Sequence, residues 1–173
     1  MTCLFELSIA LLITLLNGFF VMAEYSLVRI RKSRLDELIR QGKSRASTVL
    51  KMSEKLDTYL SATQLGITAS SLLLGWFGGP LLAEMFRGMF GISAGSWYDH
   101  SLVFACAFLI IVFLHVVFGE LVPRTIALGK VEQVAMAVAY PLVFFHYLLY
   151  PLVVLFNRIA HACLLYTSPS PRD

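Results

Sequence analysis

The chain has 173 residues, of which 58% are hydrophobic and only 14% charged, with a net charge of +3 and a mean hydropathy of +0.75. Soluble domains run at about 45–50% apolar and about 25% charged residues, so this composition excludes an ordinary water-soluble enzyme and puts most of the chain in a membrane. Nine of the fourteen Lys/Arg fall between Arg29 and Lys55; such crowding orients a membrane protein and makes nucleic-acid binding unnecessary as an explanation.

The first apolar stretch runs from about Leu7 to Val28 and has the ~20 residues needed to cross ~30 Å of hydrocarbon. No basic region precedes it and no small-residue cleavage pattern follows, so it reads as a span and not as a signal peptide. The basic segment after it, 33–56, patterns as a pair of amphipathic interfacial helices. Ser33-Arg34-Leu35-Asp36 has capping-box spacing, Leu35, Leu38 and Ile39 share a face, and Gly42 ends the first helix. A second helix from about Ser44 to Leu56 leads to a second span, 59–82, with Asp57 or Thr58 at its cap. Gly78-Gly79-Pro80 reads as a breaker near the end of that span.

A third span covers 102–122, and a fourth apolar run, Gln133 to Phe156, carries no formal charge. Pro141 and Pro151 interrupt that run, and Tyr140, His146, Tyr147 and Tyr150 suit the headgroup level, so an interfacial helix over 133–160 and a fourth span both remain open from the residues alone. The loop holding nine cations is cytoplasmic by charge counting, while the loop of about 83–101 has only Arg87 and is external, which puts the N-terminus outside. Cys3, Cys106 and Cys163 are far apart in apolar runs and read as buried packing residues. No phosphate-binding glycine loop, nucleophile triad or Cys/His cluster is present, so an enzyme is not expected. The final Ser/Pro-rich segment, 166–173, is taken as a truncated or non-native tail.

The chemistry concentrates at Phe118-Gly119-Glu120-Leu121-Val122-Pro123-Arg124. A carboxylate at membrane depth costs roughly 2.5–3.5 kcal/mol on insertion scales and marks function. Pro123 has no N–H for the carbonyl of Gly119, four residues back, so it breaks the helix and leaves a hard oxygen beside Glu120. Two such oxygens suit a small cation. Asn17, Val21 and Glu24 share one face of the first span, and Gln64, Thr68, Ser71 and Gly75 form a polar stripe on the second. Such a stripe serves either an ion path or close helix packing. Glu24 and Arg124 are read as gate residues or as members of ion pairs, Glu24 with Arg29 or Arg31 and Arg124 with Glu120; His115 reads as a hydrogen-bonded packing residue.

Asn17-Gly18-Phe19-Phe20-Val21-Met22-Ala23-Glu24, the run Leu27 to Leu35, Thr63-Gln64-Leu65-Gly66-Ile67-Thr68, Leu74-Gly75-Trp76 and Gly119-Glu120-Leu121-Val122-Pro123-Arg124 together resemble the transmembrane domain of the CorC and cyclin M (CNNM) family, whose bacterial members are hemolysin-like. The resemblance covers about Leu7 to Leu165. It implies an all-α membrane domain of three spans with juxtamembrane helices, an external N-terminus and a cytoplasmic C-terminus in the inner or plasma membrane. It also implies a homodimer followed by a pair of CBS modules and a C-terminal domain, both absent from this chain. The implied activity is export of divalent cations, chiefly Mg²⁺, coupled to sodium entry, with no tightly bound cofactor. The implied ion site lies at Gly119 and Glu120, and helical spacing offers Asn17, Gln64 and Thr68 as further metal-site candidates facing it. Arg124 stands for the family's lysine and keeps its charge, whereas Val21 and Ala23 stand where well-supported magnesium sites have serine hydroxyls. The alternative is a non-transporting membrane anchor that senses divalent cations for the cytoplasmic modules.

Overall fold

A computed structural model describes the backbone of residues 2–90 and 97–167, with side chains described over 5–78, 80, 81, 88 and 105–159. Among the described residues there is helix and no strand. Helix α1 (Thr2–Arg29) is followed by two short helices, α2 (Lys32–Arg40) and α3 (Ser44–Glu54), and by the long α4 (Leu56–Phe90). Then come α5 (Trp97–Leu114), a π-helical segment (His115–Leu121), α6 (Val122–Gly129) and α7 (Val131–Thr167).

Local chemistry accounts for the breaks. Arg31 takes an extended conformation between α1 and α2, and no side chain caps α2, so Ser33 lies inside the helix and not at its expected cap. Gly42 does end the helix. Its φ of 80° is the left-handed region that glycine enters without a Cβ clash, and there the Gly42 N–H reaches the Ile39 carbonyl while the Lys43 N–H reaches that of Leu38. These two bonds form a Schellman motif, which satisfies the last carbonyls of α2.

Three helical stretches among the described residues are long and apolar enough to cross a membrane: Phe5–Arg29, Ala105–Gly129 and Val131–Ile159. The stretch 59–82 lies wholly in α4. The stretch 133–160 lies wholly in α7. At ~1.5 Å per residue, a helix of this length exceeds the ~30 Å of hydrocarbon.

Prolines behave differently from the sequence-based expectation. Pro80, Pro141 and Pro151 all lie inside continuous helices. In apolar surroundings a helix is the only way to satisfy the remaining backbone groups, so a proline costs one bond and the helix goes on. Gly78 serves close approach: a Cβ there would lie 2.4 Å from Ile111 Cδ1, which seats α4 against α5.

The core lies at one end of the bundle. Leu27 of α1, Leu35 and Leu38 of α2, Val49 and Met52 of α3, and Leu142 of α7 are all buried in one cluster, so the short helices bury one face and expose Asp36, Glu37, Arg40 and Lys51 on the other. Arg34 ties α2 to α7, with Nε 2.6 Å and Nη2 3.2 Å from the Glu132 carboxylate, and also pairs with Glu37. Helix α1 is central and packs on α4, α6, α7 and the π segment.

One further expectation changes. Cys106 is exposed and not buried, because it lies on the outward face of an apolar helix where lipid is the natural neighbour. Buried His146 is packed against protein, its ring 4.4 Å from that of Tyr59 and 5.8 Å from that of Tyr150. The side chains of Cys3, Cys163, Trp97 and Tyr98 and the tail residues 168–173 lie outside the described residues.

Candidate functional site

Three elements converge on Gly119. The π segment arises where Pro123, at the start of α6, cannot donate a hydrogen bond. Backbone pairing there shifts to five-residue spacing, with the Val122 N–H on the Val117 carbonyl. Segments of this kind recur at functional sites. The chain stays helical through both junctions, so the expected break at Pro123 takes the form of a change in winding.

The Gly119 carbonyl accepts a hydrogen bond of 2.9 Å from Asn17 Nδ2 of α1. Asn17 is 1% exposed, and its Oδ1 is buried with no hydrogen-bond partner. Glycine makes this approach close: a Cβ at 119 would lie 3.0 Å from His115 Nδ1 and 3.2 Å from Asn17 Nδ2, so both side chains would have to give by a few tenths of an ångström. Gly18, the next residue of α1, receives the Pro123 ring, whose Cγ would lie 2.9 Å from a Cβ at 18.

Ser71 of α4 approaches from the other side. Its Oγ donates to the Ile67 carbonyl at 2.9 Å and lies 3.0 Å from His115 Nε2. With the single hydroxyl proton on Ile67, the hydroxyl oxygen accepts from Nε2–H, and Nδ1 becomes an acceptor. That Nδ1 is also buried without a partner. Two unpaired acceptors, Asn17 Oδ1 and His115 Nδ1, therefore flank Gly119.

The carboxylates lie on the same side of the bundle. Glu24 of α1, half-buried, accepts a 2.9 Å hydrogen bond from Gln64 Nε2 of α4. Thr68, one turn further along α4, donates to the Gln64 carbonyl at 2.8 Å, so its hydroxyl proton is taken up by its own helix. Glu120 is exposed but lies within electrostatic reach of both Glu24 and His115.

Neither expected ion pair forms. Glu24 is bonded to Gln64, and the Arg124 guanidinium sits 4.7 Å above the Tyr25 ring. Among the described residues the ion pairs are those of Arg34 alone. Val21 and Ala23 are buried and bring no oxygen. No group of three or more His, Cys, Asp or Glu side chains lies together among the described residues. Any cation here would therefore be held by a mixed set of carboxylate, amide, carbonyl and water oxygens.

The structure thus joins Asn17 to Gly119 and Glu24 to Gln64, and leaves Glu120 free on the rim. It adds Ser71 as the partner of His115, a pairing that helix periodicity does not reveal because it depends on how α4 is rotated against the π segment.

The cyclin M transmembrane N-terminal domain matches residues 7–172. The chain belongs to the CorC/cyclin M family. It is 40% identical over 146 residues to the UPF0053 protein YugS of Bacillus subtilis, covering 84% of this chain and 34% of that protein. To the UPF0053 protein YhdP of the same organism it is 42% identical over 153 residues, covering 88% and 34%. An uncharacterized protein of Mycobacterium tuberculosis, Rv1841c, is 38% identical over 165 residues, covering 95% and 47%. The chain spans about a third of the length of the Bacillus relatives and corresponds to a multi-pass cyclin M membrane domain.

Proposed function

We propose that this cyclin M domain carries a divalent cation across the membrane, with Mg²⁺ as cargo and sodium as the exchanged ion, along the path from Glu24 and Gln64 to Asn17, Gly119 and Glu120. The observation that carries this reading is Asn17 Oδ1, a buried acceptor with no partner, beside a carbonyl freed by Pro123. A buried unpaired acceptor is uncommon and calls for a water or an ion as its partner. Glu24 and Glu120 lie close enough to repel and make no ion pair among the described residues. Two acids in apolar surroundings without an ion pair favour a positive cargo. Magnesium takes six oxygens at about 2.0–2.1 Å and gives up water reluctantly, so a site with few protein oxygens suits a partly hydrated ion in transit. Thr68 belongs to the wall of this path.

The Arg29–Lys55 cations support an external N-terminus, and the family relationship supports CBS modules and a dimer partner in the full-length protein. The absence of hydroxyls at Val21 and Ala23 supports the second reading, a domain that senses divalent cations without moving them. Magnesium efflux from loaded liposomes tests the choice, using the full-length protein and its Glu120→Gln variant. Transport requires efflux from the native protein and its loss in the variant at equal reconstitution. Equal efflux from both removes Glu120 from the path, and efflux from neither leaves the sensor.

A further inference from the structure

A second candidate site lies beyond Glu24, at the Arg29 end of α1. Two membrane-crossing stretches have an end there: Phe5–Arg29 stops at Arg29, and Val131–Ile159 starts at Val131. Between these ends is a cleft of about 480 Å³ whose walls include Arg29, Arg31, Ser33, Arg34, Glu37 and Glu132. Three arginines face two carboxylates, and Arg34 alone engages both carboxylates. Arg29 and Arg31 are exposed and have no ion-pair or ring partner among the described residues. Three arginines against two carboxylates leave the cleft a net charge of +1, carried by two guanidiniums that make no direct ion pair among the described residues. The Ser33 hydroxyl on its wall and the uncapped first turn of α2 supply neutral donors beside them.

We infer that this cleft binds the phosphodiester of an anionic phospholipid headgroup. Guanidinium groups present paired N–H donors that match phosphate oxygens, and they hold such a group better than a point charge does. The position decides the source of the phosphate: a site at the ends of two spans lies where headgroups are, within reach of a lipid whose chains run along the exposed apolar faces of α1 and α7. Residues such as Leu15 and Val28 on α1 and Tyr140 and Phe144 on α7 supply those faces. Glu37 and Glu132 occupy Arg34, which leaves Arg29 and Arg31 as the main contacts of the ligand. The site does not depend on whether the domain transports a cation.

The test uses full-length protein in nanodiscs of phosphatidylcholine with rising phosphatidylglycerol, with the lipids retained on release into detergent counted by native mass spectrometry. Native protein should keep phosphatidylglycerol in preference to phosphatidylcholine. Each arginine near an anionic headgroup is worth roughly fivefold in affinity, so Arg29→Gln with Arg31→Gln should weaken retention about thirtyfold. Lys51→Gln with Lys55→Gln removes the same charge from α3 and its C-terminal end and should leave retention unchanged. Ser33→Asp, at an exposed position, adds a repelling carboxylate without removing a packing contact and should also abolish the preference; it carries the test if the arginine variant loses helix content by circular dichroism. Equal loss in the lysine and arginine variants would show diffuse surface charge and overturn the site. No lipid preference in the native protein would overturn it too, as would protection of lipid-free protein by inorganic phosphate alone, which would assign the cleft to a soluble anion.

Discussion

Gly66→Ala tests whether α1 and α4 are packed as described. A Cβ at position 66 would lie 2.5, 2.5 and 2.6 Å from three carbons of the Phe20 ring, above its face. Carbon atoms prefer about 3.5–4.0 Å, so the ring must retreat by roughly 1 Å. It has little room to do so. Phe20 is 2% exposed, with the rings of Phe19 and Phe145 at 5.2 and 5.1 Å in edge-to-face contact. Overpacking of this kind costs about 1–3 kcal/mol. A disturbed aromatic pair adds about 0.5–1.5 kcal/mol, and alanine returns about 1 kcal/mol through helix propensity. The expected net loss is about 2 kcal/mol in unfolding by SDS in dodecyl maltoside micelles, followed by far-ultraviolet circular dichroism. Phe20→Leu should cost less in the Gly66→Ala background than in the native protein, because the two positions share one contact. Gln64 lies two residues from the wedge, so its bond to Glu24 should weaken and cation transport fall with stability. A Gly66→Ala protein as stable as the native one, or no coupling to Phe20, would refute this packing of α1 on α4.

Two more predictions concern the site and the short helices. Asn17→Leu removes both the donor to Gly119 and the unpaired Oδ1; each unsatisfied buried group costs roughly 1–3 kcal/mol, so the changes oppose one another. Stability by the same micelle titration should therefore shift by less than about 2 kcal/mol while magnesium efflux is lost, and retained efflux in a folded variant would exclude Asn17 from the path. Arg34→Ala and Glu132→Ala should show a favourable coupling in a double-mutant cycle that shrinks as salt is raised, since both partners are partly exposed. A coupling insensitive to salt would mean that the pair acts through packing and not through charge.

Much of the organisation could be read from residue order because it rests on local rules. The span of α1, the end of α2 at Gly42 and the peculiarity of Gly119 to Pro123 each follow from apolar length, a left-handed glycine or a missing N–H. Where prolines were read as interruptions, the reading carried a rule from water into an apolar setting. Pro80, Pro141 and Pro151 stay within helices because a broken helix there would expose several more backbone groups than the one the proline removes. The site was legible as a set of faces. Asn17 and Glu24 share one side of α1, but only the rotation and depth of the neighbouring helices bring Gln64 to Glu24, Asn17 to the Gly119 carbonyl and Ser71 to His115. The ion pairs expected of Glu24 and Arg124 fail for a related reason. Sequence neighbours on a helix compete with partners on other helices, and Gln64 and the Tyr25 ring are better placed.

The Pro123 ring seated over Gly18 also limits how this domain can move. With the ring closer to the backbone of α1 than any residue with a side chain would permit, the two helices interlock at one point. Sliding one past the other by a full turn would drag the ring across Thr14 and Leu15 in one direction or Val21 and Met22 in the other. Tilting about the contact requires no such crossing. The Asn17 amide and the Gly119 carbonyl lie beside this pivot and so change separation little as the helices rock, whereas Glu24, nearly two turns along α1, sits on a longer arm and sweeps farther. A tilt about this contact would therefore displace the two acids unequally, Glu24 more than Glu120.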